Sequence, residues 1–327
     1  MVLVLSRQDV ESILDMKETM GAVEEGFRQL ALGTVKMPLR PSISLEDYGG
    51  LHLVMPAYVG GMKALGLKVV TVYPKNPEKY NLPTILATVL LHEAETGRLL
   101  AIMDGASITA MRTGAVSGVA TKYLARKDSK VAGIFGAGVQ ARTQLWAICE
   151  ARDVEEARVY DVDPASSKKY CEEMGEKLGI DVFMVDDPRD AVVGSDVIAT
   201  ATTSREPVFR GEWVGEGTHI NGVGSYTPTM RELDEVIVRR SRVVVDSREA
   251  ALEEAGDLII PISQGLITAD HIYAELGEIV AGEKRGRVSD DEITLFKSVG
   301  LALQDVSTAV RLFELAQEMK VGKTVEI

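Results

Sequence analysis

A short glycine turn constrains this chain more than any other feature. Gly136-Ala137-Gly138-Val139-Gln140-Ala141 follows the apolar run Val131–Phe135 and opens a helical stretch that reaches about Ala151. A buried-type strand, a GxGxxA turn and a helix start, in that order, suit a dinucleotide pyrophosphate. Gly136 permits the tight turn, Gly138 lets the phosphates approach the backbone, and Ala141 keeps the helix close to the sheet. The helix N-terminus then presents unpaired N–H groups and the positive end of its dipole. A second strand, Arg158–Asp161, ends in a carboxylate at the spacing expected of a ribose 2′-OH acceptor. The turn residues Gly136, Ala137, Gly138, Val139 and Gln140 are therefore candidate cofactor contacts, together with Asp161. A carboxylate there accepts from a free 2′-OH and repels a 2′-phosphate, so NAD is favoured. Lys168 and Lys169 lie further along the next helix and leave NADP open.

The rhythm around the turn extends this reading. Pro164–Leu178 reads as a helix, and Val182–Val185, Asp196–Ala201, His219–Val223 and Arg242–Asp246 read as further strands. Alternating strands and helices of this kind form a doubly wound parallel sheet, with ligands at the strand C-termini. Thr200, Thr202, Val223 and Gly224 sit at such ends. The texture before residue 104 differs. Short β-rich runs (Leu51–Met55, Gly66–Tyr73, Thr84–Leu91) are broken by Gly, Pro and Asn, which indicates a mostly antiparallel sheet with two helices against it. A small-residue helix from Ser107 to Leu124 joins the two textures, and a final helix over about Asp290–Met319, with no strand after it, is expected to return to the first. The expected organisation is α/β. A Rossmann, NAD-binding domain spans 121–302. An α+β substrate domain is built from 1–120 together with 303–327.

Composition removes several functions. The net charge of −13 repels phosphate backbones and anionic membrane surfaces, which excludes nucleic acid and membranes as partners. No apolar run is long enough to cross a bilayer. The two cysteines make no disulfide framework and suit a reducing cytoplasm. His52, His92, His219 and His271 lack ligand spacing, so no metal site is expected.

Within this acidic chain the first domain holds basic residues at notable places: Arg40 between prolines, Lys68 in a strand after Gly66, and Arg112 in the junction helix. An α-carboxylate needs such partners, and arginine can grip it in bidentate fashion. Taken singly, each residue reads as readily as a surface ion-pair member. A lysine in a desolvated cleft beside an arginine would also have its ammonium form disfavoured, which makes Lys68 a candidate proton donor. Asp305 either orients Lys68 or belongs to a structural ion pair.

Specific motifs carry a family resemblance nearly end to end. They are Gly66-Leu67-Lys68-Val69-Val70, Leu82-Pro83-Thr84, Met111-Arg112-Thr113-Gly114-Ala115, the glycine turn, Gly217-Thr218-His219-Ile220-Asn221, Glu232-Leu233-Asp234, and Ile293 through Gly300 followed by Gln304-Asp305. With them the chain resembles the ornithine cyclodeaminase/μ-crystallin family. The resemblance implies two domains, a homodimer formed through the first, and NAD(P)-dependent chemistry on amino or imino acids. It further implies that Arg40, Lys68 and Arg112 hold the substrate carboxylate, and that Thr84 lies near substrate and nicotinamide. Arg112, Thr113 and Ser298 are expected to reach cofactor groups.

One departure bears on the reaction. Cyclodeaminases of this family carry an aspartate shortly after the strand that ends at Gly224; here Tyr226 stands in that place. A neutral phenol does not offset a developing cationic amine as a carboxylate does. Net reduction of a C=N bond does not require that group, so an imino-acid reductase or alanine dehydrogenase is expected. The alternatives are an ornithine cyclodeaminase and a non-catalytic binder of cofactor and small ligands.

Overall fold

A computed structural model describes residues 1–327. The chain divides into two compact units, Met1–Arg112 with Leu301–Ile327, and Thr113–Gly300. The sequence reading placed these cuts after residues 120 and 302. No glycine–proline break marks the first cut, because the continuous Gly105–Leu124 helix runs through it.

The Thr113–Gly300 unit is an eight-stranded sheet in which every pairing is parallel. From one edge its strands are Asp181–Met184, Glu156–Tyr160, Val131–Phe135, Val197–Thr200, His219–Gly222, Ile293–Lys297, Ser241–Val245 and Ile272–Glu275. Chain order reverses between Val131–Phe135 and Val197–Thr200, which creates the switch point where doubly wound sheets bind ligands. The core on one face gathers Ile134, Ala141, Leu145, Val159, Tyr170 and Val197. The central strands Val131–Phe135 and Val197–Thr200 are buried on both faces, which is why they read as continuous apolar runs rather than alternating ones. The helices Val139–Ala151 and Pro164–Leu178 match their sequence limits.

In the other unit the strands run Lys323–Val325, Val2–Leu5, Leu99–Asp104, Ile85–Glu93, Ala64–Val72, Gly50–Val59 and Val35–Lys36, with Ser42–Leu45 also on Gly50–Val59. All pairs are antiparallel except Val2–Leu5 with Leu99–Asp104. Ser6 caps the Arg7–Ile13 helix in a capping box closed by Asp9. Helices Met16–Ala31 and Ala302–Met319 pack together and against the sheet.

Two expectations about the C-terminal region are corrected. Residues 290–301 are not helical: Ile293–Lys297 is a fully buried strand, as its β-branched and aromatic run Ile293-Thr294-Leu295-Phe296 favours. Gly300, at φ 87°, then turns the chain into the Ala302–Met319 helix. A strand does follow that helix, since Lys323–Val325 pairs with Val2–Leu5. No helix is long and apolar enough to cross a membrane.

Candidate active site

Period-two alternation places the key lysine. Along Ala64–Val72 the residues Ala64, Gly66, Lys68 and Val70 share the buried face. The Ala302–Met319 helix covers that face, and a Cβ at Gly66 would meet the Leu90 carbonyl oxygen at 2.8 Å and Val306 at 3.3 Å. Lys68 is thus driven into the interior at 1% exposure. Its counter-ion comes from the first turn of the covering helix, where the dipole favours an anion. Lys68 Nζ donates to Asp305 Oδ1 at 2.8 Å and to Thr109 Oγ1 at 3.3 Å. One turn on from Thr109, Arg112 Nε donates to the same Asp305 Oδ1 at 3.1 Å, and Nη1 donates to Gln304 Oε1 at 2.7 Å. Arg112 lies in the interior of the Gly105–Leu124 helix.

The cluster is short of negative charge. Two buried cations share one carboxylate oxygen, while Asp305 Oδ2 and Gln304 Nε2 are buried without a partner. Burial above all, joined by Arg112 and Arg40 and opposed by Asp305, lowers the Lys68 pKa to about 8. Arg40 is therefore electrostatically within reach of the lysine. Thr84 is half-buried at the end of the turn that leads into Ile85–Glu93, with its carbonyl accepting from the Tyr73 N–H. Gln304 was quoted only as part of a motif; its role in fixing Arg112 had no sequence signal of its own.

In the other unit the glycine turn has the form a pyrophosphate requires. Gly136 sits at φ 98°, and a Cβ there would lie 2.8 Å from the Ala201 carbonyl oxygen. At Gly138 a Cβ would meet nothing within 4 Å, so the turn opens onto free space. Gly138 caps the Val139–Ala151 helix with no side-chain acceptor on its first-turn amides. These are the donors a phosphate would use. Gly138 and Val139 are exposed, Ala137 is buried, and half-buried Gln140 carries an unpartnered buried Oε1. Asp161 Oδ2 accepts from the Ala137 N–H at 2.7 Å, and Oδ1 accepts from the Asp163 N–H at 2.9 Å. The acid is thereby fixed beside the turn, with lone pairs left for a ribose hydroxyl. Arg142 braces the same turn by donating to the Ala137 and Gly138 carbonyls while pairing with Glu173.

Several side chains expected to face the cofactor are engaged inside the protein instead. Thr200 Oγ1 donates to Glu232 Oε2 at 2.8 Å; the Thr202 N–H and hydroxyl donate to Glu232 Oε1 at 2.6 and 2.8 Å. The Gly224 N–H donates to Glu232 Oε2 at 2.7 Å, and the Val223 N–H donates to the Thr200 carbonyl. Ser298 Oγ donates to Asp246 Oδ2 at 2.7 Å, an oxygen that also accepts from the Val299 and Gly300 N–H groups. Thr113 is buried, and its carbonyl accepts from Gln144 Nε2. The donor hydrogens of the Thr200, Thr202 and Ser298 hydroxyls are thus committed to internal carboxylates. The anchors themselves, Glu232 and Asp246, were not assigned from sequence. Asp257 Oδ1 accepts from the Glu232 and Leu233 N–H groups at 2.7 and 2.9 Å, and Asp257 Oδ2 pairs with Lys297 Nζ at 2.9 Å. Burial raises the Glu232 pKa, against the pull of Lys297.

His219 is structural. It is fully buried between Thr294 Oγ1 and Asn221 Oδ1, at 2.9 and 3.1 Å. Burial first, and the nearby Arg287 second, hold its pKa down at about 3, so it stays neutral.

Comparison with known proteins matches this geometry to a family. The model of the ornithine cyclodeaminase/mu-crystallin family matches residues 1–320. Alanine dehydrogenase of Archaeoglobus fulgidus is 43% identical over 99% of this chain and 98% of its own length. Δ1-pyrroline-2-carboxylate reductase of Bacillus cereus is 40% identical over 99% of this chain and 100% of its own. The chain is also similar to the solved structure of Thermococcus litoralis Δ1-pyrroline-2-carboxylate reductase in complex with NADH and L-proline. That match has a TM-score of 0.96 and 55% identity, covering 99% of this chain and 100% of the other.

Proposed function

The chain belongs to the ornithine cyclodeaminase/mu-crystallin family, and we propose that it is an NAD(H)-dependent oxidoreductase of small α-imino and α-amino acids, acting foremost as a Δ1-pyrroline-2-carboxylate reductase. One observation carries the reading: two buried cations, Lys68 and Arg112, face a single carboxylate. An isolated buried charge is costly and calls for a partner. A substrate α-carboxylate supplies the missing negative charge. Arg112 is fixed through Nε and Nη1, which leaves Nη2 outside both bonds and aimed by them for that carboxylate. The unpartnered Gln304 Nε2 offers a second donor, and Asp305 Oδ2 an acceptor for a substrate N–H.

NAD(H) fits the turn described, with the first-turn amides of Val139–Ala151 for its phosphates and Asp161 for its ribose. When bound, the cofactor supplies the hydride that ends on the imino carbon. Lys68 holds the proton that ends on nitrogen. With its pKa near 8 the lysine can give the proton up, and a bound carboxylate would draw the pKa upward again, keeping the lysine charged until nitrogen takes the proton. In the reverse direction the neutral amine accepts the proton. Tyr226 in place of a carboxylate supports net redox chemistry over ammonia loss. The proposed assembly is a homodimer in a reducing cytoplasm, consistent with the free Cys149 and Cys171.

The test is NADH consumption with Δ1-pyrroline-2-carboxylate, with pyruvate plus ammonia assayed separately. Silence on both, with proline formed from ornithine at catalytic NAD, would replace this reading with a cyclodeaminase.

A further inference from the structure

We infer that Glu232 is a positioning residue for the nicotinamide half of the cofactor, acting as a buried strut that fixes the two strand-tip turns under it. The inference rests on the cofactor reading above. In a sheet that reverses order beside the glycine turn, the adenosine half lies on the side of Glu156–Tyr160 and Asp161. The other half then lies over the tips of Val197–Thr200 and His219–Gly222. Glu232 joins those two tips. One carboxylate oxygen takes the Thr202 N–H and hydroxyl; the other takes the Gly224 N–H and the Thr200 hydroxyl. The strut is held in turn at a third tip: the Glu232 and Leu233 amides sit on Asp257, which pairs with Lys297 at the end of Ile293–Lys297. Glu232, Asp257 and Lys297 are all fully buried.

The chemistry singles out a carboxylate. Each oxygen receives one backbone N–H, which cannot turn away, and one hydroxyl, which can. Glutamine offers only one acceptor-only atom, so whichever way its amide lies, one backbone N–H faces an NH2 group. The Gly224 position leaves no slack, because a Cβ there would lie 2.3 Å from Glu232 Oε1 and from the Thr202 carbonyl oxygen. Loss of one anchored N–H must therefore shift a turn.

The experiment is calorimetric titration of the full chain with two probes, NADH and ADP-ribose, which lacks the nicotinamide. Glu232→Gln is expected to weaken NADH about tenfold and ADP-ribose by less than about twofold. Thr200→Val removes one donor to the strut, the hydroxyl that donates to Glu232 Oε2. It should weaken NADH about threefold, again sparing ADP-ribose, and it decides the matter if Glu232→Gln fails to fold. Unchanged NADH affinity in the variants, or equal loss of both probes, overturns the strut. A wild-type chain that binds neither probe refutes the cofactor reading, and the strut with it; a wild type that binds both, with flat variants, refutes the strut alone.

Discussion

Two buried ionic clusters, one in each unit, are built from the same residue types to opposite ends. Around Asp305, two cations share one carboxylate, and two polar atoms have no partner. Around Glu232, two carboxylates share one lysine, and both Glu232 oxygens are filled by four donors from the chain itself. The first cluster is incomplete without a ligand of negative charge. In the second, Glu232 is completed by donors of its own chain, and the remaining unfilled atoms, Asp257 Oδ2 and Lys297 Nζ, face each other as an ion pair at 2.9 Å. Burial alone therefore does not mark a reactive charge; what sets the first cluster apart is an excess of positive charge, the sign that an anionic substrate offsets.

The sharpest way to break this contrast is to remove the reactive lysine. Lys68→Met should lower kcat for imine reduction by about 10²–10⁴-fold, the usual worth of a general acid, with NADH affinity intact by titration. A comparable loss from Lys297→Met with cofactor binding intact would erase the distinction between the clusters.

Asp305→Asn comes next. It strips both Lys68 and Arg112 of their counter-charge, and breaking such a pair should cost about 3–5 kcal/mol of stability, read by denaturant unfolding. If the loss is fully restored by a bound carboxylate substrate analogue, the charge-deficit account is strengthened; no loss at all would refute it.

The pH dependence is smaller and has a definite sign. The lysine pKa is near 8 in the folded chain against an ordinary 10.5. Imine reduction needs the ammonium, so kcat/KM should fall as pH rises through about 8, and amino-acid oxidation should rise over the same range. Stability should move the other way from the reduction rate. Between about 8 and 10.5 the unfolded chain binds a proton that the folded chain has released, so this group's contribution to stability increases with pH there. Profiles of rate and of thermal midpoint in wild type and Lys68→Met would check both signs.

The mildest effect is expected at the cofactor ribose. Asp161→Ser should narrow the preference for NADH over NADPH by about tenfold through loss of the carboxylate's repulsion, measured as a ratio of kcat/KM values.

The sequence made some of this plain and hid the rest for physical reasons. The parallel sheet was legible because doubly buried strands are continuous apolar runs, and the Val139–Ala151 and Pro164–Leu178 helices because their starts carry turn chemistry. The Ile293–Lys297 strand was read as the front of a helix, since a short apolar run beside helical sequence has no period of its own. Lys68 stood out by its strand context and motif. Lys297, an equally buried lysine at the end of an apolar strand, carried a similar signal that was not used. Glu232 could not be assigned from local pattern, because all four donors to its carboxylate are at least eight residues away. The internal acceptors of the Thr200, Thr202 and Ser298 hydroxyls were hidden for the same reason: they lie 30 or more residues distant.

The separation of Lys68 from Asp305, 237 positions along the chain, has a consequence for biosynthesis. A ribosome delivers the lysine early, then the entire Thr113–Gly300 unit with every strand of its own sheet, and only afterwards the helix that bears the aspartate. The nascent polypeptide therefore carries the uncovered face around Gly66 and Lys68 until that helix emerges. The substrate pocket matures after the nucleotide-binding module, which is the part able to acquire its ligand first.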